Sequence, residues 1–211
     1  MAILIGVDVG QKRDPTAVCV AEPERRELDG RVETHFLVRH LERLPLGTPY
    51  PRVAERLAAI AGAVRQKTSS PPRVYVDATG VGQPLVDLLR GQLGSKRPVA
   101  VYFTHGDRRR ATLEGRQRIV SLGKAYLVSR LQALLQSGRL HLPRTAEAEV
   151  LTDELLTYEI RVDEHANNRY GAFKVGTHDD LVTALGLAVQ TDDVWPRRLT
   201  LGTLRGDPRL R

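Results

Sequence analysis

The feature that most limits this chain is a change of period part-way along it. Residues 2–41 carry apolar runs of strand length and no helical repeat. Beyond Pro49, strand-like and helix-like segments alternate. Ala2–Val9 reads as a buried strand, Gly10–Pro15 as a turn, Thr16–Glu22 as a second strand, and Val32–Leu41 as a third after a polar loop over Pro23–Arg31. This predicts three antiparallel strands in succession. Pro49–Lys67 places Val53, Leu57, Ile60, Ala61 and Val64 at helical spacing. A strand over Arg73–Asp77, a helix over Gly82–Leu93 and a strand over Val99–Phe103 form a unit that normally makes strands parallel.

The remainder reads as one long interrupted helix over Leu113–Gln136, with Gly123 as its start or a kink. A brief strand at Leu140–Leu142 and a helix over Thr145–Leu156 follow. Strands over Tyr158–Val162 and Tyr170–Val175 flank a turn at Asp163–Arg169, and Thr177–Val189 is a last helix. From Asp192 onward, Pro, Gly and Arg predict a poorly ordered basic tail. Residues 1–191 are thus expected to form one α/β domain, with 192–211 an appendage. The element order resembles the ribonuclease H-like fold: a mixed sheet flanked by helices, here with an extra β-hairpin.

At 211 residues and 41% hydrophobic, the chain can bury one substantial core. The single cysteine, Cys19, lies in an apolar run and excludes a disulfide framework or a Cys-rich zinc site. No apolar stretch approaches the ~20 residues needed to span a bilayer, so no membrane association is expected and the chain reads as soluble and cytoplasmic. The net charge of +7 suits a polyanionic partner, although solubility alone also accounts for it.

Three acidic positions stand out. Asp8 ends an otherwise apolar strand, where a carboxylate is costly unless paired. A metal ion, Lys12 or Arg13 would serve, and a plain strand-end Asp is the alternative. Asp77 ends Val74-Tyr75-Val76 and precedes Ala78-Thr79-Gly80-Val81-Gly82; ligands gather at such carboxyl ends, and such an Asp also suits a turn or cap. In Thr177-His178-Asp179-Asp180-Leu181-Val182-Thr183-Ala184-Leu185, Thr177 is a candidate cap. Acids in a first turn are favoured by the helix dipole regardless, but Asp180 lies on the apolar face and should point inward. Mg²⁺ takes oxygen ligands, and two ions roughly 3.5–4 Å apart can drive phosphodiester hydrolysis. Asp8, Asp77, Asp179 and Asp180 would supply both the ligands and the catalytic groups.

These segments, with Asp14-Pro15-Thr16-Ala17 and Gly123–Pro143, resemble the nuclease domain of phage large terminases, up to about Val189. The resemblance implies an endonuclease using two Mg²⁺ or Mn²⁺ ions that cuts concatemeric double-stranded DNA into genome units in the host cytoplasm. Asp8, Asp77 and one or both of Asp179 and Asp180 would be the ligands, and the Tyr158–Val175 hairpin would lie beside the site. It also implies an ATPase domain, a portal and a small terminase subunit as partners. No phosphate-binding loop of the G-x-x-x-x-G-K-[ST] form occurs here, and Thr183 stands where some relatives carry a further Asp. A monomer is expected in isolation.

Arg108, Arg109, Arg110, Arg116, Arg118 and Lys124 form the densest basic cluster, which is either a DNA-phosphate contact or a solvated face. Lys174 and His178 flank the acidic helix and are further DNA-contact candidates. A Holliday-junction-resolvase-like nuclease, a sugar-kinase or actin-like ATPase fragment, and a DNA-binding scaffold with a dead site are the rival readings.

Overall fold

The computed structural model describes residues 1–10, 14–93, 97–162, 168–171 and 179–191. Its order is β1 (Leu4–Asp8), β2 (Ala17–Leu28), β3 (Arg31–Arg43), α1 (Tyr50–Thr68), β4 (Arg73–Asp77), α2 (Gln83–Gln92), β5 (Val99–Thr104), β6 (Arg109–Glu114), β7 (Gln117–Gly123), α3 (Lys124–Gln136), β8 (Leu140–His141), α4 (Ala146–Thr157), β9 (Glu159–Val162), β10 (Asn168–Gly171) and α5 (Asp180–Ala188). Eight strands form one sheet in the order β6-β7-β5-β4-β1-β2-β3-β8, while β9 and β10 pair separately. As expected from the sequence, β1, β2 and β3 are antiparallel neighbours, and β1 also pairs parallel with β4.

Alternation along the strands sorts side chains into two layers. Ile5, Val7, Val74 and Val76 pack with Val53 and Leu57 of α1 and Leu85 and Leu89 of α2. Leu4 and Tyr75 pack on the other face with α3, α4 and α5. Asp8 and Asp77 share the parity of Leu4 and Tyr75, so both carboxyls project toward the α5 face. The strand period alone dictates that.

Helix α5 is apolar almost all round, and every residue but Thr183 is buried. It can come close to the sheet because β1 carries Gly6. A Cβ there would collide with the carbonyl oxygen of Ala184 and reach Ala188 N at 2.5 Å and Leu187 Cβ at 2.9 Å.

Three segments differ from the sequence expectations. The loop expected at Pro23–Arg31 is strand almost throughout, closed by a two-residue turn in which Asp29 (φ 51°) and Gly30 (φ 73°) are both left-handed. That is the turn geometry whose twist suits a hairpin, and Asp-Gly supplies it. Pro23 is tolerated because β1 is too short to demand its missing N–H: β1–β2 pairing ends at Leu4–Ala21.

The long helix expected from Leu113 begins only at Lys124. Before it, β6 and β7 form a hairpin around Gly115 (φ 57°), with Val120 and Leu122 buried against β5 and Gly123 as the helix N-cap. Pairing with β5 outweighed the helical spacing of the leucines. Finally, α5 starts at Asp180 with Asp179 as its N-cap. Thr177, the expected strand residues Ala172–Val175 and the basic tail from Asp192 lie outside the described residues.

Gly6→Ala should destabilise the fold by more than about 3 kcal/mol, because backbone of α5 occupies the space. Gly62→Ala, on the open face of α1 with nothing within 4 Å, should instead gain up to about 1 kcal/mol. Urea unfolding of both variants checks the contrast.

Candidate active site

The site is a single row across the sheet. Register pairs Asp8 with Ala17 and Ala17 with Arg43; Val7 pairs with Val76, so one step further sets Asp77 beside Asp8. Residues directly opposite on neighbouring strands face the same way. Asp77, Asp8, Ala17 and Arg43 therefore line the α5 face in sequence, at the carboxyl ends of β1 and β4.

Arg43 owes its side to an irregularity. Val20 pairs with His40 but Ala21 pairs with Val38, which leaves Arg39 as an extra residue in β3. The bulge reverses the alternation, so Phe36, Val38 and Leu41 all face the α5 layer, and Arg43 follows Leu41.

Asp77 is oriented by the turn after it. Thr79 N–H donates to Asp77 Oδ1 at 2.8 Å, and Phe103 N–H donates to Thr79 Oγ1 at 2.8 Å, which ties the turn to β5. Gly82 is required there because a Cβ would strike the Asp77 carbonyl. Asp180 is only 2% exposed, as its place on the apolar face predicts. Asp179, just before it, is half-buried.

The acids act on one another. Burial lifts the Asp8 carboxyl well above the usual carboxylate range, and the charges of Asp77, Asp179 and Asp180 push the same way; Lys124 opposes them. Burial also raises Asp77, against the Thr79 hydrogen bonds and Lys124. The fold thus brings Asp77, Asp179 and Asp180, all singled out in the sequence, within electrostatic reach of Asp8. Among the described residues, no three His, Cys, Asp or Glu side chains stand close enough to hold a metal ion as they are placed. An all-carboxylate, mutually repelling set still has the chemistry of a site for a hard divalent cation.

The basic candidates disperse. Lys124, first residue of α3, lies over the Phe103 ring at 5.7 Å and within electrostatic reach of Asp8 and Asp77. Arg108 and Arg110 are exposed near the start of β6, on the edge that carries the acids. Arg109 turns inward: its Nε donates to Gln190 Oε1 at 3.0 Å and its Nη2 to the Thr191 carbonyl at 3.2 Å. Arg116 sits in the hairpin turn at the opposite edge, because the segment is a hairpin rather than a helix. Lys12, Arg13, Lys174 and His178 lie outside the described residues.

Sequence reasoning missed Arg43 and Glu154. Arg43 Nε donates to Asp180 Oδ2 at 2.5 Å and its Nη2 to Oδ1 at 3.2 Å, and Nη2 also pairs with Glu154. Glu154 is 6% exposed, among the buried Ala148 and Leu151 of α4. An acid on the apolar stripe of an amphipathic helix was the available signal. Nothing in the sequence marks Arg43 without the bulge.

Three solved structures share this architecture. The large terminase nuclease from thermophilic phage G20c matches with a TM-score of 0.60 at 22% identity, over 89% of this chain and 80% of that one. Its form with bound magnesium matches at 0.62 and 22%, over 89% and 79%. The Mn-soaked human cytomegalovirus terminase nuclease domain matches at 0.52 and 17%, over 88% and 80%. At these identities the likeness is one of fold, and that fold is ribonuclease H-like. No curated protein matches the chain in sequence. Residues 5–191, however, match the family described as Terminase RNaseH-like domain, and the chain belongs to that family.

Proposed function

We propose that this chain is a divalent-metal-dependent endodeoxyribonuclease that cuts double-stranded DNA during viral genome packaging. The observation that carries the reading is the convergence of Asp8 and Asp77, on adjacent parallel strands, with the Asp179–Asp180 turn laid over them. Family membership supports it, as do the magnesium, cobalt and manganese forms of the neighbouring terminase nuclease structures. In a packaging machine it would work with an ATPase domain, a portal and a small terminase subunit.

Asp8 stands centrally in the row and feels all three other charges, so it is the ligand two ions would share. Asp77, held by Thr79, and the α5 acids would complete the two ligand sets. When bound, Mg²⁺ or Mn²⁺ supplies activation of the attacking water and stabilisation of the leaving oxygen. Lys124, within electrostatic reach of Asp8 and Asp77, would meet a DNA phosphate. Arg108 and Arg110 extend positive charge along the same edge.

Supercoiled plasmid with Mn²⁺ or Mg²⁺ should be nicked and linearised, and chelation should stop it. Asp8→Ala, Asp77→Ala or Asp180→Ala should each lower the rate by at least about 10²-fold, the scale for losing one charge-stabilising group. If wild type and Asp77→Ala bound DNA alike and neither cut, a scaffold role would replace this one. Preferential cleavage of four-way junctions over linear duplex would instead indicate a resolvase.

The acid cluster also predicts a stability signature. Because the folded-state pKa of Asp8 is raised, its charged form is disfavoured by folding. The penalty is full above the raised pKa and disappears as pH falls toward the ordinary value of 3.8. Asp8→Asn removes it, so without metal at pH 7.5 the variant should melt higher, by about 2–4 °C for each kcal/mol relieved. The gap should narrow on acidification, and Mn²⁺ should raise the melting point of wild type more than that of the variant.

A further inference from the structure

The Arg43–Glu154 pair is built into the start of α5 at two points. The first turn of a helix leaves N–H groups without intrahelical partners. The N-cap residue Asp179 makes no side-chain cap bond, and Val182 N–H donates instead to Glu154 Oε2 at 3.1 Å, across from α4. Glu154 thus caps α5 from another helix with one oxygen and holds Arg43 with the other. Arg43 in turn grips Asp180 through both carboxylate oxygens. One guanidinium therefore joins the end of β3, α4 and α5 in the row that holds Asp8 and Asp77.

We propose that Arg43, braced by Glu154, is a positioning residue of the metal site, fixing the Asp180 carboxylate and the first turn of α5 against the β1–β4 edge. The inference rests on the metal-site reading above. A carboxylate offers about four lone-pair positions. Arg43 takes two, so Asp180 meets a cation only with those that remain, in one orientation. Lysine cannot substitute for the fork, because its ammonium is a point charge without a fixed bidentate geometry.

The test is Mn²⁺ affinity by calorimetry on the full chain, without DNA. Wild type should bind, and Arg43→Lys, which keeps the charge and loses the fork, should bind at least about tenfold more weakly, the lower end for residues that orient a ligand. Glu154→Gln should weaken binding in the same direction and speed hydrogen exchange at the Val182 amide. Circular dichroism establishes that each variant is folded; if Arg43→Lys is not, Glu154→Gln decides by the same two measurements. Unchanged affinity in the folded variants overturns the proposal. Tighter binding overturns it as well and makes Arg43 a competitor of the metal. If wild type itself takes up no Mn²⁺, the metal-site reading fails and the positioning role falls with it, an outcome distinct from a wild type that binds and variants that bind equally.

Discussion

The contact between α5 and β1 sets what the rest of this molecule can do. Gly6 lets the helix backbone approach the central strand, and that approach carries Asp180 down to the level of Asp8. The helix is held there by apolar burial. Leu181, Val182, Leu185 and Leu187 are all buried, worth on the order of 6–12 kcal/mol by usual area reckoning. Burying charge still costs several kcal/mol per ion once relaxed, a penalty of the same order as that gain, so the apolar contact is what lets the fold bring the acids toward one another.

Two arrangements limit that cost, and they differ in kind. Asp180 is buried and satisfied within the protein by Arg43, which Glu154 shares. Asp8 feels the opposing charge of Lys124, and Asp77 that of Lys124 and the hydrogen bonds of Thr79, yet both carboxyls rise in pKa. The site is therefore divided between an internally compensated acid and acids that an external cation would stabilise. Such uneven compensation is common where a fold trades stability for function.

Much of this was legible in the sequence because it depends on period. Strands of alternating layers, each ending in Asp, put both carboxyls on one face, and the position of Asp180 on an apolar helix face buried it. The parallel β4–β5 pairing followed from the strand–helix–strand order, and the β1–β4 pairing from the resemblance to the ribonuclease H-like fold. What was not legible depended on tertiary competition. Ile119 and Leu122, read as part of the helical pattern, became strand because β5 offered an edge. The Asp29–Gly30 turn was hidden because the charged residues around it read as loop when they are in fact a ribbon with two solvated sides. Arg43 and Glu154 were invisible for a related reason: their partners are 137 and 28 residues away in the chain.

The extra residue at Arg39 has an implication for how this family can vary. Side chains on β3 change sides at that point, so its two halves obey opposite parity rules. Lengthening or shortening the ribbon beyond it, toward Asp29, alters only a protruding end. Losing one residue at the bulge itself would keep the apolar pattern of one half and invert the other, swinging Arg43 through the sheet toward the α1 layer. Insertions and deletions in β3 should therefore be tolerated at its outer end and selected against within the few residues between Val38 and Arg43, even though Arg39 is exposed and its own side chain pairs with Glu22 on the surface.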